Sequence, residues 1–392
     1  VTGRQSVRRV ALAAAVVWAG VASGARPAAL PGEPGIEPRR FIAHRGVHLR
    51  MTLAGENSLE AIRYARRAGF AAIETDVRLT SDGHAIVMHD DTLNRTCLHA
   101  NGTALREKVP VARVTLAQLQ SDYVLRAARP EDRTQVPTLR EYLVECRRQG
   151  LLTFIEPKLY DASGRHYRDI IALADELLGA GNYVVTSNNQ ANRVIRNLGL
   201  RDVVLMGILY QTTFEEIAGL GNAIMAISAT RFSEAEFAAH ARRAVAARLP
   251  TESHADDYAR FAVIDARPVD YVSTDLLAPD PLPDAAVRAR RTRLEEFNSS
   301  GRIESGVLRV PAGGTVGIGS PLPKVRFGGL YFEVELAGEC RVRLGGQEFL
   351  LQSDGRQRRR HQLMVHESAP AFQLVAANAC EIRSLRLTLV EY

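Results

Sequence analysis

From residue 40 onward the chain alternates two periodicities, and that alternation restricts its fold more than any other feature. Short apolar runs fall at 40–43, 71–77, 85–88, 151–156, 182–187, 202–208, 222–228 and 269–274. Stretches with helical spacing lie between them, at 57–68, 115–121, 138–149, 165–179, 190–198, 212–219 and 233–247. This pattern predicts parallel strands with helices outside. Eight or so strands in roughly 245 residues match a TIM (β/α)8 barrel over 40–283. The run 249–253 is a weaker candidate, because Pro250 has no N–H to give a central ladder, so the strand count is open by one. The 392 residues suffice for one large barrel and a small second domain.

The character changes after 283. The stretch AAVRARRTRLEEF at 285–297 predicts a charged helical connector, with 284–299 as its span. Over 300–392 apolar residues alternate, as in Leu330, Phe332, Val334 and Leu336, with glycine turns between the runs. An all-β, sandwich-like domain is expected. Its expected role is packing against the barrel, with carbohydrate or cell-envelope contact as the alternative. Arg356, Arg358, Arg359, Arg360 and His361 form a basic cluster, expected at a solvated hairpin tip.

At the other end, Arg4, Arg8 and Arg9 precede the apolar stretch VALAAAVVWAGVA at 10–22 and then small residues. That order predicts a secretory leader over 1–25, hence a periplasmic or extracellular protein, and the apolar stretch is short for a membrane span. Residues 26–39, rich in proline and glycine, read as a linker. The formal net charge is +6, and the leader carries three of the positive charges and no acid, leaving +3. So mild a charge, without a basic stripe interleaved with aromatics, excludes nucleic acid as the expected partner. Four cysteines lie at 97, 146, 340 and 380. Export permits disulfides, and Cys340 with Cys380 is the favoured pair, ahead of Cys97 with Cys146. No Cys-x-x-Cys occurs, which argues against zinc.

Chemistry-bearing residues crowd the first part of the barrel. The chain reads FIAHRG at 41–46, ENSLEA at 56–61, AIETDVRLTSDG at 72–83 and IVMHDDTLNRT at 86–96. Glu74 and Asp76 sit two apart in an apolar run, so on a strand both carboxylates leave one face. Burying such groups costs several kcal/mol unless a partner or a metal compensates. Further on, FIEPK at 154–158 adds Glu156 and Lys158, and VDYVSTD at 269–275 closes the series.

This ordered set resembles the glycerophosphodiester phosphodiesterase family. The matching pieces are His44-Arg45-Gly46, Glu56-Asn57-Ser58, Glu74-x-Asp76, Asp82-Gly83, His89-Asp90, Glu156-x-Lys158 and the last strand. The resemblance implies a phosphodiesterase acting on a small-molecule glycerophosphodiester. Glu74, Asp76 and Glu156 then form an all-oxygen set suited to a hard divalent cation, Ca²⁺ or Mg²⁺. His44 and His89 are the implied catalytic acid and base, with either order open. Arg45 and Lys158 would hold phosphate oxygens on the substrate side. Glu56, with Asn57, would support that side by orienting Arg45 or touching the metal shell. His48, His84 and His99 are expected to be exposed loop residues. Asp90 and Asp91 would cap the loop after the strand, and Asn94 and Arg95 would fold it back.

One stretch departs from the family. Where it commonly has Trp-Thr-Val-Asn, this chain has Leu249-Pro250-Thr251-Glu252-Ser253. The aromatic wall is absent there, which bears on the alcohol recognised. The long segment 95–137 is expected to form an insertion over the barrel mouth. Two other functions stand beside the first: a phospholipase D-like hydrolase of lysophospholipid or sphingomyelin, and an inactive barrel serving as an envelope-binding protein.

Overall fold

The structure is a computed structural model that describes residues 40–279, 288–319, 321–368 and 371–392. The expected leader and linker lie outside the described residues. Eight parallel strands close a barrel: β1 (Arg40–Ala43), β2 (Ala72–Leu79), β3 (Leu152–Pro157), β4 (Tyr183–Thr186), β5 (Val204–Ile208), β6 (Ala223–Ala226), β7 (Thr251–His254) and β8 (Tyr271–Thr274). The ladder runs from β1 through β8 and back down to β2, and β1 pairing with β2 completes the circle.

Two strand expectations exchange places. The run 85–88 is not a barrel strand; Ala85–Val87 turns back antiparallel on the end of β2, with Val77 opposite Val87. The doubtful run is the true seventh strand. Pro250 precedes its first residue, so its missing N–H costs no ladder bond, and its carbonyl accepts from the Met225 N–H at 2.8 Å. A helix not foreseen, Tyr258–Asp265, follows β7 and is capped by Asp257, whose side chain accepts from the Arg260 N–H.

Side-chain alternation sorts the barrel interior into layers. The lower layer is apolar: Ile42, Ala72, Phe154, Val184, Val204, Ile224 and Tyr271 pack together. One step of two residues toward the strand ends, the same inward face carries His44, Glu74 and Glu156 instead. Each of the matching apolar positions below is fully enclosed, so the polar groups stand on a dry floor.

The helices outside follow their caps. Leu59–Arg67 starts at Ser58, whose Oγ accepts from the Ala61 N–H, and buries Ala61, Ile62 and Ala65 on the barrel. Leu139–Gln149 opens with a capping box of Thr138 and Glu141 and stops at Gly150, which takes φ 67°. The insertion has its own small core of Ile86, Met88, Leu93, Cys97, Leu119, Leu125 and Val136.

The C-terminal region is antiparallel β, as its alternation predicts. Val325–Leu344 pairs along one edge with Gln347–Ser368, and along the other with Phe372–Ala376 and Cys380–Glu391. Over its described residues the connector is not the expected α-helix: Arg288–Arg293 is a strand on the outer side of Cys380–Glu391, followed by a 3-10 turn at Leu294–Glu296. Arginine is a good helix former, but the free edge of that last strand offers a ladder that overrides propensity. The basic cluster is not at a hairpin tip either. The turn lies at Gly345–Gly346, while Arg358, Arg359 and Arg360 are mid-strand, opposite Glu335, Val334 and Glu333. The favoured cysteine pair does come together, with the Cys340 and Cys380 thiols 3.1 Å apart. Cys97 and Cys146 belong to separate cores.

This sheet docks on the barrel. The Phe327 ring meets Tyr64 edge-on at 5.2 Å, Arg67 donates to the Tyr392 carbonyl at 2.7 Å, and Tyr331 donates to the Pro279 carbonyl at 3.3 Å. Near the barrel mouth, the Met364 N–H donates to the Leu276 carbonyl at 2.8 Å, and Gln347 Nε2 donates to the Asp256 carbonyl at 3.3 Å.

Candidate active site

The C-terminal ends of β1, β2, β3, β7 and β8 bring the charged residues to one rim. Glu74 and Asp76 leave the same face of β2, and parallel register sets Asp76 beside Glu156 of β3. Ligand oxygens of the three carboxylates lie within 4.8 Å of one another. Glu74 and Asp76 are almost fully enclosed, at 6% and 1% exposure. Burial, with Asp76 and Glu156 alongside, raises the Glu74 carboxyl well above its ordinary range. Glu74 Oε1 and Asp76 Oδ1 accept no hydrogen bond. Buried oxygens that lack a hydrogen bond, all hard donors, fit a divalent cation such as Ca²⁺ or Mg²⁺. Lys158 Nζ partly offsets the charge, 2.7 Å from Glu156 Oε1 and 3.3 Å from Asp76 Oδ1.

The loop after β1 is wound to serve the same group. Arg45 and Gly46 take φ 54° and 76°, and Asn57 takes φ 60°. Left-handed backbone at non-glycine residues is costly, and it persists here because both turns are tied down. The Arg45 N–H donates to Glu74 Oε2 at 3.0 Å, and the Asn57 N–H donates to the Arg45 carbonyl at 2.8 Å. Asn57 Nδ2 then donates to Asp76 Oδ2 at 2.9 Å, fixing the carboxylate plane. Asn57 is therefore a direct partner of the acidic trio. The Arg45 guanidinium spans Asp76 at 3.3 Å and Glu56 at 3.5 Å.

Each catalytic histidine candidate has its own aspartate. His44 Nδ1 lies 2.8 Å from Asp275 Oδ1, and its Nε2 lies 3.8 Å from Glu74 Oε2. Burial lowers the His44 imidazole from its ordinary value, against the pull of Asp275. Burial alone would raise Asp275, but the hydrogen bond from His44 and the nearby His48 imidazole hold it far below the usual range. His89 Nδ1 lies 2.7 Å from Asp90 Oδ1. The antiparallel return of Ala85–Val87 carries His89 to the rim, where the Met88 N–H donates to the Asp76 carbonyl at 2.9 Å. Arg78 braces this corner by donating to the carbonyls of His89 and Lys158.

Glu56 pairs more tightly with Arg95 than with Arg45. The Arg95 fork donates to both Glu56 oxygens at 2.6 Å and also reaches Asp90. Arg95 thus links the Asp90 that holds His89 to the Glu56 that faces Arg45. The hydrogen bond from Arg95 keeps Asp90 far below the ordinary carboxylate range. Asn94 behaves as expected, its side chain tying Val109 and Glu107 into a folded-back loop.

His48 corrects an expectation. It is buried at 3% exposure, with Nε2 3.4 Å from Asp275, because the loop after β1 folds inward rather than over the surface. His84 and His99 are in exposed positions, as expected. Asp275, Asp90 and His254 carry roles that their sequence context did not assign. For Asp275 a signal existed: it is a carboxylate one residue past a barrel strand, where these folds keep reactive groups.

Residues 44–198 match the family described as the glycerophosphoryl diester phosphodiesterase family. Over 117 residues the chain is 36% identical to a mouse protein named glycerophosphodiester phosphodiesterase 1, covering 30% of this chain and 33% of that one. The human protein of that name is 35% identical over a stretch of the same length. The chain thus matches about a third of the length of these relatives. A crystal structure from Silicibacter pomeroyi DSS-3, described as a glycerophosphoryl diester phosphodiesterase, superposes with TM-score 0.51 at 20% identity, over 62% of this chain and 91% of that one, and supports the barrel fold. All of the inferred metal ligands, both histidines with their flanking arginine, and Lys158 fall inside the matched residues. Over residues 44–198 of this barrel, the chain is thus similar to the glycerophosphoryl diester phosphodiesterase family.

Proposed function

We propose that the barrel hydrolyses a glycerophosphodiester to glycerol phosphate and a free alcohol, with a divalent cation held by Glu74, Asp76 and Glu156. The observation that carries this reading is the acidic trio, whose buried members Glu74 and Asp76 each keep an unsatisfied oxygen, flanked by two cations and two His–Asp pairs on one rim. When bound, the cation would polarise a phosphoryl oxygen and offset charge that builds in the transition state. Arg45 and Lys158 face the same space and hold the remaining non-bridging oxygens.

His44 serves as the base in this reading. Its Nδ1–H points at Asp275, which leaves the Nε2 lone pair free toward the site, and its lowered pKa keeps that nitrogen unprotonated near neutrality. His89, steadied by Asp90, protonates the leaving alkoxide. Asp275 and Asp90 set the tautomers and ring planes. The alcohol is the open feature of the substrate class, since the stretch Leu249–Ser253 departs from the family resemblance and β7 brings Glu252 and His254 to the inward face.

Removing metal with EDTA abolishes hydrolysis in this reading, and adding Ca²⁺ or Mg²⁺ restores it and raises Tm. A panel of glycerophosphodiesters followed by phosphorus NMR names the alcohol and the P–O bond that breaks. Full activity after exhaustive metal removal contradicts the proposal. The leader composition of residues 1–25 supports export, which fractionation of expressing cells tests.

A further inference from the structure

The rim holds a third His–Asp pair, on the opposite side of His44 from Glu74. His254 ends β7, in register with Ser273 of β8, so it shares the inward face. Its ring stands edge-on to the His44 ring, with centroids 4.9 Å apart and planes at 71°. Both of its nitrogens are engaged. Nε2 lies 3.0 Å from Asp256 Oδ2, and Nδ1 lies 3.1 Å from Ser273 Oγ. Ser273 Oγ donates onward to Glu252 Oε1 at 2.5 Å, so its lone pair faces the His254 N–H. Two donating nitrogens make His254 an imidazolium with Asp256 as its counter-ion. The pKa direction agrees: burial lowers it, but the Asp256 hydrogen bond and charge outweigh burial.

The two pairs interlock. Asp256 Oδ1 accepts from the Asp275 N–H at 2.8 Å, and Asp275 is the partner of His44. The His44 ring is thus fixed twice from the β7–β8 side, once through its aspartate and once through ring contact. With both nitrogens spent, His254 has no donor left for a substrate.

We infer that His254, pinned by Asp256 and Ser273, is a positioning residue that holds the His44 imidazole in its working orientation. The inference rests on the function proposed above, in which His44 moves the proton. Misplacing a reacting group by about 1 Å can cost on the order of 10²-fold in rate.

The test is steady-state kinetics on the full chain with whichever diester of the panel the parent protein turns over. His254→Ala lowers kcat about 10- to 100-fold while KM stays within about twofold. His254→Gln, which keeps a donor toward Asp256, recovers part of that loss. Asp256→Asn, which keeps shape and removes charge, lowers kcat in the same direction. Near-UV circular dichroism reports whether each variant keeps its native packing, and Asp256→Asn decides the matter should His254→Ala not fold. Parental kcat in His254→Ala or in a folded Asp256→Asn overturns the inference while leaving the proposed function standing. A raised KM with unchanged kcat also overturns it, since His254 would then contact substrate. A parent protein that turns over no diester in the panel overturns the function itself, and the inference with it.

Discussion

The barrel mouth and the C-terminal sheet handle charge in opposite ways. At the mouth, Glu74, Asp76 and Glu156 converge, carboxylate oxygens go without hydrogen bonds, and Arg45 and Asn57 hold costly backbone. In the sheet, apolar residues such as Leu330, Phe332, Val334 and Leu336 fill the interior, and charges pair on the surface, as Arg343 does with Glu348 at 2.7 Å. Stability alone would not select the first arrangement, because buried like charges work against folding. The strain at the mouth is what a reactive site needs, and the pairing in the sheet accords with its expected packing role.

The largest effect that tests this contrast is catalytic. His44→Ala lowers kcat by about 10²–10⁴-fold, as loss of a general base does, and leaves Tm nearly unchanged. A large fall in Tm would mean that the mouth is structural after all. The mirror experiment lies in the sheet. Phe332 is fully buried, so Phe332→Ala costs about 3–5 kcal/mol in denaturant melts, with kcat of the folded fraction unchanged.

A third experiment sharpens the support role. Cys340 and Cys380 lie in thiol contact and bracket 39 residues of sheet. With oxidised glutathione as the oxidant, the two thiols give up two hydrogens and form a disulfide. Stability then rises by about 3–4 kcal/mol, and thiol titration of the denatured protein counts two groups fewer. The smallest effect is on acid stability. Hydrogen bonds from Arg148, Gln149 and Arg63 lower the Glu145 carboxyl from 4.5 to about 2. The unfolded chain takes up that proton first, so stability present above pH 4.5 is lost as pH falls toward about 2. Glu145→Gln flattens this limb of the pH–Tm curve, and an unchanged limb would contradict the assignment.

Much of the barrel was readable because its strands are short apolar runs broken by capped helices. The exchange between 85–88 and β7 shows where such reading stops. Apolar content marks a strand but not its direction, so Ala85–Val87 looked like a barrel member. Pro250 looked like a breaker because linear sequence does not reveal that it stands one residue outside the ladder. Glu74 and Asp76 were legible from their spacing on one strand, and Glu156, His44 and His89 from the resemblance of the ordered motif set. Asp275, His254 and Asp256 were not, since their roles arise from closure of β8 against β1, a contact more than 200 residues apart in the chain. The helical reading of 285–297 failed for a related reason: the strand partner of Arg288–Arg293 lies 93 to 103 residues later.

Gly46 has a consequence for how such a site can change over time. A Cβ there would sit 2.6 Å from the Ala61 side chain, and the residue already takes φ 76°. The turn bearing His44 and Arg45 is therefore wedged against the helix Leu59–Arg67, and neither can shift without the other. Across the opening, β7 and its loop carry no such wedge and touch the sheet through Gln347. His254 and Asp256 on that flank are themselves tied to His44 and Asp275, so under the proposed function new alcohol preferences should evolve from the other positions of the β7 flank, while the turn with His44 and Arg45 changes only together with its helix.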